Sequence, residues 1–301
     1  MESLAQRLLE KQRDELLKLR DQIERRTGLS YQRSRLHQLA NRVARRMVEG
    51  RFNTLRRYSG FLRGGPTGEE EFDRLVESLL VKESSFFRNA PQFHVLREYI
   101  LPAVISNKRF ADQRRLTVWS AGCSHGQEPY SLALTLLDVL GPRSGWELTV
   151  YATDISRRAV ESVQRGRYRT RELEGVPEEF RQRYFRRIGE DVFEISDEVR
   201  RHVQPLRGNL LRTPAFGNQS GIVDILFCRN VLIYFDVPTI RRITDVLERL
   251  LADDGYLFLG HSESLFGITD RFRLVDFAGL LIYRKALGRR LGDDEINDST
   301  G

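Results

Sequence analysis

The chain has 301 residues, 40% apolar and 30% charged, enough to bury a full core and to divide into two domains, which excludes a small disulfide-stapled scaffold. Two cysteines in apolar, strand-like segments (Cys123 and Cys228), no run near the ~18 uncharged apolar residues of a membrane helix, and no signal- or transit-peptide pattern predict a soluble, cytoplasmic protein. The formal charge of +7 is uneven, because residues 25–63 hold eleven arginines against one acid, Glu49, a basic element that calls for phosphates or a carboxylate-rich protein surface as partner.

Residues 4–26 carry apolar side chains at helical spacing, and a Thr-Gly-Leu-Ser break precedes a second helix over 31–48. On that helix Leu36, Ala40, Val43 and Met47 form one stripe, and Arg35, Arg42 and Arg46 share a neighbouring face. A third helix is expected from about Asn53, and after a turn-rich stretch at 64–68 a fourth spans 69–80, so residues 1–80 read as an all-helical domain. A linker at 81–92 contains Ser85-Phe-Phe-Arg88, and a helix over 91–105 follows.

Strands at 116–120, 148–153, 222–228 and 256–260 then alternate with helices at 127–140, 156–164 and 237–251, the pattern of a mostly parallel sheet with crossover helices. The segments 272–276 and 280–284 have no helix between them and predict a closing antiparallel hairpin. The charged stretch 166–207 interrupts the alternation and reads as an inserted subdomain, with residues 288–301 as a disordered tail.

The most informative segment, Ser120-Ala-Gly-Cys-Ser-His-Gly-Gln-Glu-Pro-Tyr-Ser, stands where the first strand turns into the first helix of the sheet, the switch-point position for a nucleotide-like ligand. Small residues let a ligand approach the backbone, and the helix N-terminus offers free N–H groups. Asp154 ends the second strand, where it suits a ribose or a helix cap. Glu128 suits a ligand or the helix dipole, and Arg229, Asn230 and Tyr234 break or follow an apolar strand at its carboxyl end. His125 has no companion at ligand spacing, so no metal is expected.

Taken together, Ser84-Ser-Phe-Phe-Arg88, Ala121-Gly-Cys-Ser-His-Gly-Gln-Glu-Pro-Tyr-Ser131, Ala152-Thr-Asp154, Asn209-Leu210, Phe227-Cys-Arg-Asn-Val-Leu-Ile-Tyr-Phe-Asp236 and Gly260-His-Ser-Glu263 resemble the CheR family of chemotaxis receptor glutamate O-methyltransferases, in order from about Thr27 to Arg284. The resemblance implies an α/β, Rossmann-like class I methyltransferase domain at 93–287, an N-terminal helical substrate-recognition domain and a small inserted β-subdomain. It implies S-adenosylmethionine as cofactor, without a metal, bound by Lys82, Ser84, Arg88, Gly122, Glu128, Asp154, Asn209, Leu210, Asn230 and Val231. Arg88 and Tyr234 would act at the transfer point, and Arg35, Arg42 and Arg46 would read the glutamate-bearing helical bundle of a methyl-accepting receptor, with no nucleic acid and no membrane insertion. The chain departs from the family pattern at Lys82, His125 and Gln127, which leaves a catalytically weak cofactor-binding module as the first alternative. The arginine run motivates a nucleic-acid methyltransferase as the second, although the Asn-Pro-Pro-aromatic pattern of amino-group methylators is absent.

Overall fold

The computed structural model describes residues 3–31, 35–80, 83–141, 144–216, 219–277 and 279–286. Lys82 and the tail at 288–301 lie outside the described residues.

The N-terminal domain is built from α1 (Leu4–Glu10), α2 (Arg13–Thr27), α3 (Leu36–Glu49), α4 (Leu55–Phe61) and α5 (Gly65–Leu79). Its core is the apolar stripe expected on α3, with Leu36, Ala40, Val43 and Met47 buried against Leu8, Leu16, Leu19 and Ile23. The long first helix is divided at Lys11 and Gln12, and α2 ends at Gly28, whose φ of +81° closes it in the left-handed region. The fourth helix begins earlier than its turn-like sequence suggests, because Pro66 occupies the first turn, where its missing N–H has no intrahelical partner to lose.

After the linker, α6 (Ala90–Val95) continues through a π-helical turn (Leu96–Ile100) into α7 (Leu101–Phe110). Pro102 cannot donate to the carbonyl one turn back, and the wider turn before it absorbs that mismatch. A seven-stranded sheet follows, built from β1 (Arg115–Ala121), β2 (Glu147–Asp154), β6 (Val203–Arg207), β7 (Val223–Cys228), β8 (Leu251–Leu259), β9 (Phe272–Phe277) and β10 (Leu280–Lys285) in the order β6-β2-β1-β7-β8-β10-β9. The first five are parallel, and β10 runs antiparallel to both β8 and β9, giving the expected hairpin. β1 is buried on both faces, with Leu116 and Val118 in one apolar layer and Trp119 and Ala121 in the other. Helices α8 (Gln127–Leu140), α9 (Arg157–Arg165) and α12 (Val237–Leu250) are the crossovers.

The insert is shorter than 166–207. Its three-stranded antiparallel sheet comprises β3 (Arg167–Arg169), β4 (Phe185–Arg187) and β5 (Val192–Ile195), accompanied by α10 (Glu178–Tyr184) and α11 (Asp197–Arg200). Residues 203–207 leave it to form β6, the edge of the main sheet beside β2. Pro205 obscures that strand in the sequence and is accommodated because an edge strand has one unpaired side. Both cysteines are buried and free, and no helix among the described residues is long and apolar enough to cross a membrane.

Candidate functional site

The chain leaves β1 at Gly122, whose φ is +82° and whose added Cβ would lie 2.4 Å from Val231 Cγ2, so the turn requires glycine. The Gly122 and Cys123 amides donate to the Thr153 carbonyl at 2.8 and 2.9 Å, and the Ser124 amide donates to Asp154 Oδ2 at 2.9 Å. These bonds lock the loop after β1 onto the end of β2. The other oxygen of Asp154 accepts from the Ser156 amide at 2.9 Å, whereas Ser156 itself caps α9 by accepting from the Ala159 amide at 3.0 Å. Asp154 is therefore not the cap of that helix.

Glu128, in the first turn of α8, is a good deal more than a complement to the helix dipole. Its carboxylate accepts from Ser120 Oγ at 2.7 Å and from Arg229 Nη1 at 3.2 Å, and the Arg229 side chain is only 3% exposed. Burial raises the Glu128 pKa and lowers that of Arg229, while each charge works against the other's shift. The second amino group of Arg229 donates to the Arg88 carbonyl at 2.5 Å, so the same side chain fixes the linker. Arg88 is exposed, and its guanidinium reaches the Glu83 carbonyl at 3.1 Å.

Beyond β7 the chain turns through Asn230, a non-glycine residue with φ +57°. The carboxylate of Glu263 accepts the amides of Asn230, Val231, Leu232 and Gly260 at 2.6, 2.8, 2.7 and 2.7 Å. Four charge-assisted bonds hold a turn that asparagine alone would adopt only at a cost.

The N-terminal domain closes this floor from above. The Ser30 amide donates to the Tyr234 carbonyl at 2.8 Å, and Asn209 Nδ2 donates to the Arg26 carbonyl at 3.0 Å. Gly28 packs against Leu211 and Phe235. Between the two domains lies a cavity of about 490 Å³, within the usual range for small-molecule sites. Of the residues singled out in the sequence, Ser84, Arg88, Gly122, Glu128, Asp154, Asn209, Leu210, Asn230, Val231, Tyr234 and Arg35 line it. Tyr234 is half-buried, and desolvation raises its pKa against the opposing pull of Arg35 and Arg88.

Arg42 lies outside the cavity lining but is exposed and close enough to act electrostatically on Tyr31, as Arg35 does. Arg46 is separated from both. Its guanidinium forms a two-pronged pair with the buried Glu71, bonding Oε1 at 2.9 Å and Oε2 at 2.5 Å, and Tyr58 donates to the same carboxylate at 3.0 Å. The expectation that Arg46 reads a partner surface is therefore corrected: it is an interior strut between α3 and α5, drawn inward by Glu71.

Sequence reasoning noticed Arg229 without giving it a role, although an arginine ending an apolar strand signals a buried acidic partner. It missed Tyr31 and Ser30, which line the cavity from the break after α2, and gave no role to Glu263, whose hydrogen bonds are to backbone amides. Among the described residues no cluster of histidine, cysteine, aspartate or glutamate could hold a metal ion.

Comparison with known proteins places these features in a family. Residues 82–279 match the model described as CheR methyltransferase, SAM binding domain, and residues 14–80 match the CheR methyltransferase all-alpha domain. A chemotaxis protein methyltransferase of Vibrio anguillarum is 37% identical over 231 residues, covering 75% of this chain and 81% of the relative. That of Salmonella typhimurium is 34% identical over 256 residues, 84% of each chain, and a probable chemotaxis protein methyltransferase of Rhizobium etli is 33% identical over 231 residues, 75% of this chain and 84% of the relative.

Proposed function

The chain belongs to the CheR methyltransferase family and uses S-adenosylmethionine, and from that premise we propose that it methylates glutamate carboxylates on the cytoplasmic helical bundle of a chemoreceptor, giving glutamate methyl esters. The observation that carries this reading is the cavity itself, where the carboxyl ends of β1, β2 and β7 meet a basic helical domain.

The lining suits the cofactor. Glu128 offers a buried carboxylate to an ammonium group, the Asp154 carboxylate is held at the lining by the Ser124 and Ser156 amides, and Asn209, Leu210 and Val231 present a mixed polar and apolar wall to a nucleoside. When bound, S-adenosylmethionine supplies a methyl group on a sulfonium, and its displacement by a carboxylate oxygen leaves a neutral ester and thioether. A glutamate side chain is already ionised at neutral pH, its pKa being about 4.3, so the protein has no need of a strong base. Its task is alignment in a partly dry pocket.

In this reading Arg88, held at the rim through its carbonyl by Arg229, steers the incoming carboxylate, and the half-buried Tyr234 shapes the transfer point. Arg35 at the mouth and Arg42 beside it attract the acidic receptor surface, and the cytoplasmic side of the receptor is where the enzyme works.

The test is transfer of a radiolabelled methyl group to a purified chemoreceptor cytoplasmic fragment. Label released as methanol by mild base, and absent when the fragment's exposed glutamates are replaced by alanine, is expected. Label that survives base would overturn the ester assignment.

A further inference from the structure

A second concave site lies wholly within the N-terminal domain, away from the cofactor cavity. It is a cleft of about 930 Å³ between α2 and α4, floored by Leu19. Its charge is the informative feature: Lys18, Arg25, Arg26, Arg56 and Arg63 face only Glu15 and Glu69. Glu69 is taken up by Arg26, whose guanidinium also lies over the Phe72 ring at 3.5 Å. Lys18, Arg25, Arg56 and Arg63 make no ion pair or side-chain hydrogen bond among the described residues.

The helical geometry makes this arrangement more than a scatter of surface charge. Lys18 and Arg25 stand seven residues apart on α2, and Arg56 and Arg63 stand seven apart on α4 and the turn that follows it. The α2 wall therefore carries two cations about 10 Å apart on one face, two helical turns at about 1.5 Å per residue, and the α4 wall sets Arg56 and Arg63 opposite them around the same hollow. Like charges held around one hollow repel, and an anion bridging the walls relieves that repulsion. Between them Ser59 Oγ is buried without a hydrogen-bond partner, although it belongs to a residue lining the cleft. A buried hydroxyl left unpaired is costly, and a turn of the Ser59 side chain toward the cleft would let an anionic oxygen satisfy it.

We propose that the cleft between α2 and α4 binds a small polyanion carrying at least two phosphate groups, gripped by Lys18 and Arg25 from one wall and by Arg56 and Arg63 from the other. A concave hollow of this volume suits a compact ligand better than a flat membrane surface or a duplex, and arginine favours phosphate through paired N–H donors. The site uses none of the residues that line the cofactor cavity, so its occupancy is separable from cofactor binding.

The experiment is calorimetric titration of the full chain with inorganic tripolyphosphate at fixed, moderate salt, followed by ATP as a second probe. Saturable one-to-one binding is expected, weakened at least tenfold in Arg25→Gln/Arg56→Gln and likewise in the independent pair Lys18→Gln/Arg63→Gln. Both pairs should keep the parent's thermal midpoint and its affinity for S-adenosylhomocysteine. Absence of binding, or binding that both pairs retain, would overturn the proposal. So would a DNA oligonucleotide that outcompetes tripolyphosphate, or a loss of receptor methylation in both pairs without any tripolyphosphate binding by the parent, because the cleft would then serve a macromolecule.

Discussion

Glu128 shows how one side chain sets stability and ligand affinity against each other. Burial raises its pKa in the folded protein. The folded state thus holds its proton to higher pH than the unfolded chain does, and the stability this group contributes is complete at low pH and declines as pH rises through the raised value. Binding of a cationic amine requires the carboxylate and runs the other way. Affinity for S-adenosylhomocysteine should therefore fall on acidification above the ordinary carboxylate range near ~4.3, and Glu128→Gln should lower affinity about tenfold and flatten that pH profile in calorimetry. At Gly122 the constraint is steric rather than electrostatic. Gly122→Ala must place a side chain at φ +82° and within reach of Val231, so it should cost about 1–2 kcal/mol in urea unfolding and abolish measurable cofactor binding.

At the scale of elements, α3 separates two kinds of arginine that a helical wheel puts together. Arg46 is turned inward onto Glu71, and Arg46→Ala should cost the helical domain about 3 kcal/mol by stranding a buried carboxylate, read from urea unfolding. Arg42→Glu should leave that midpoint unmoved and reduce receptor methylation severalfold, an effect that diminishes with added salt. Periodicity revealed the buried stripe of α3 and six of the seven strands of the main sheet, because burial writes itself into spacing. It could not reveal which arginine finds a carboxylate 25 residues away, nor that Pro205 sits on an edge strand, since both depend on neighbours brought in by tertiary packing. Pro66 misleads for a related reason: the turn-rich stretch that holds it reads as a break, yet Pro66 fits a helix's first turn.

Across the whole molecule the motifs single out residues that line one cavity, because glycine turns and strand-end carboxylates keep local signatures. The contribution of the helical domain was legible only as charge. That Ser30 and the Arg26 carbonyl would bond Tyr234 and Asn209 has no local signature at all. Together with the Ser156 and Arg158 bonds to Glu77, the Arg207–Asp73 pair and the packing of Ile155, Tyr234 and Phe235 on the helical core, those bonds surround a cavity whose lining comes from both domains. A ligand filling it touches both, so its binding free energy adds an adhesive to the contacts that already join the two domains. Calorimetric scans of the ligand-free protein should show two transitions, one per domain, and S-adenosylhomocysteine at a hundred times its Kd should add about 2.7 kcal/mol and fuse them into one. A helical-domain transition that stays in place would show that the roof does not feel the ligand. If they fuse, consumption of the methyl donor cannot loosen the enzyme, for the spent product clasps the halves as firmly, and only its departure restores their independence.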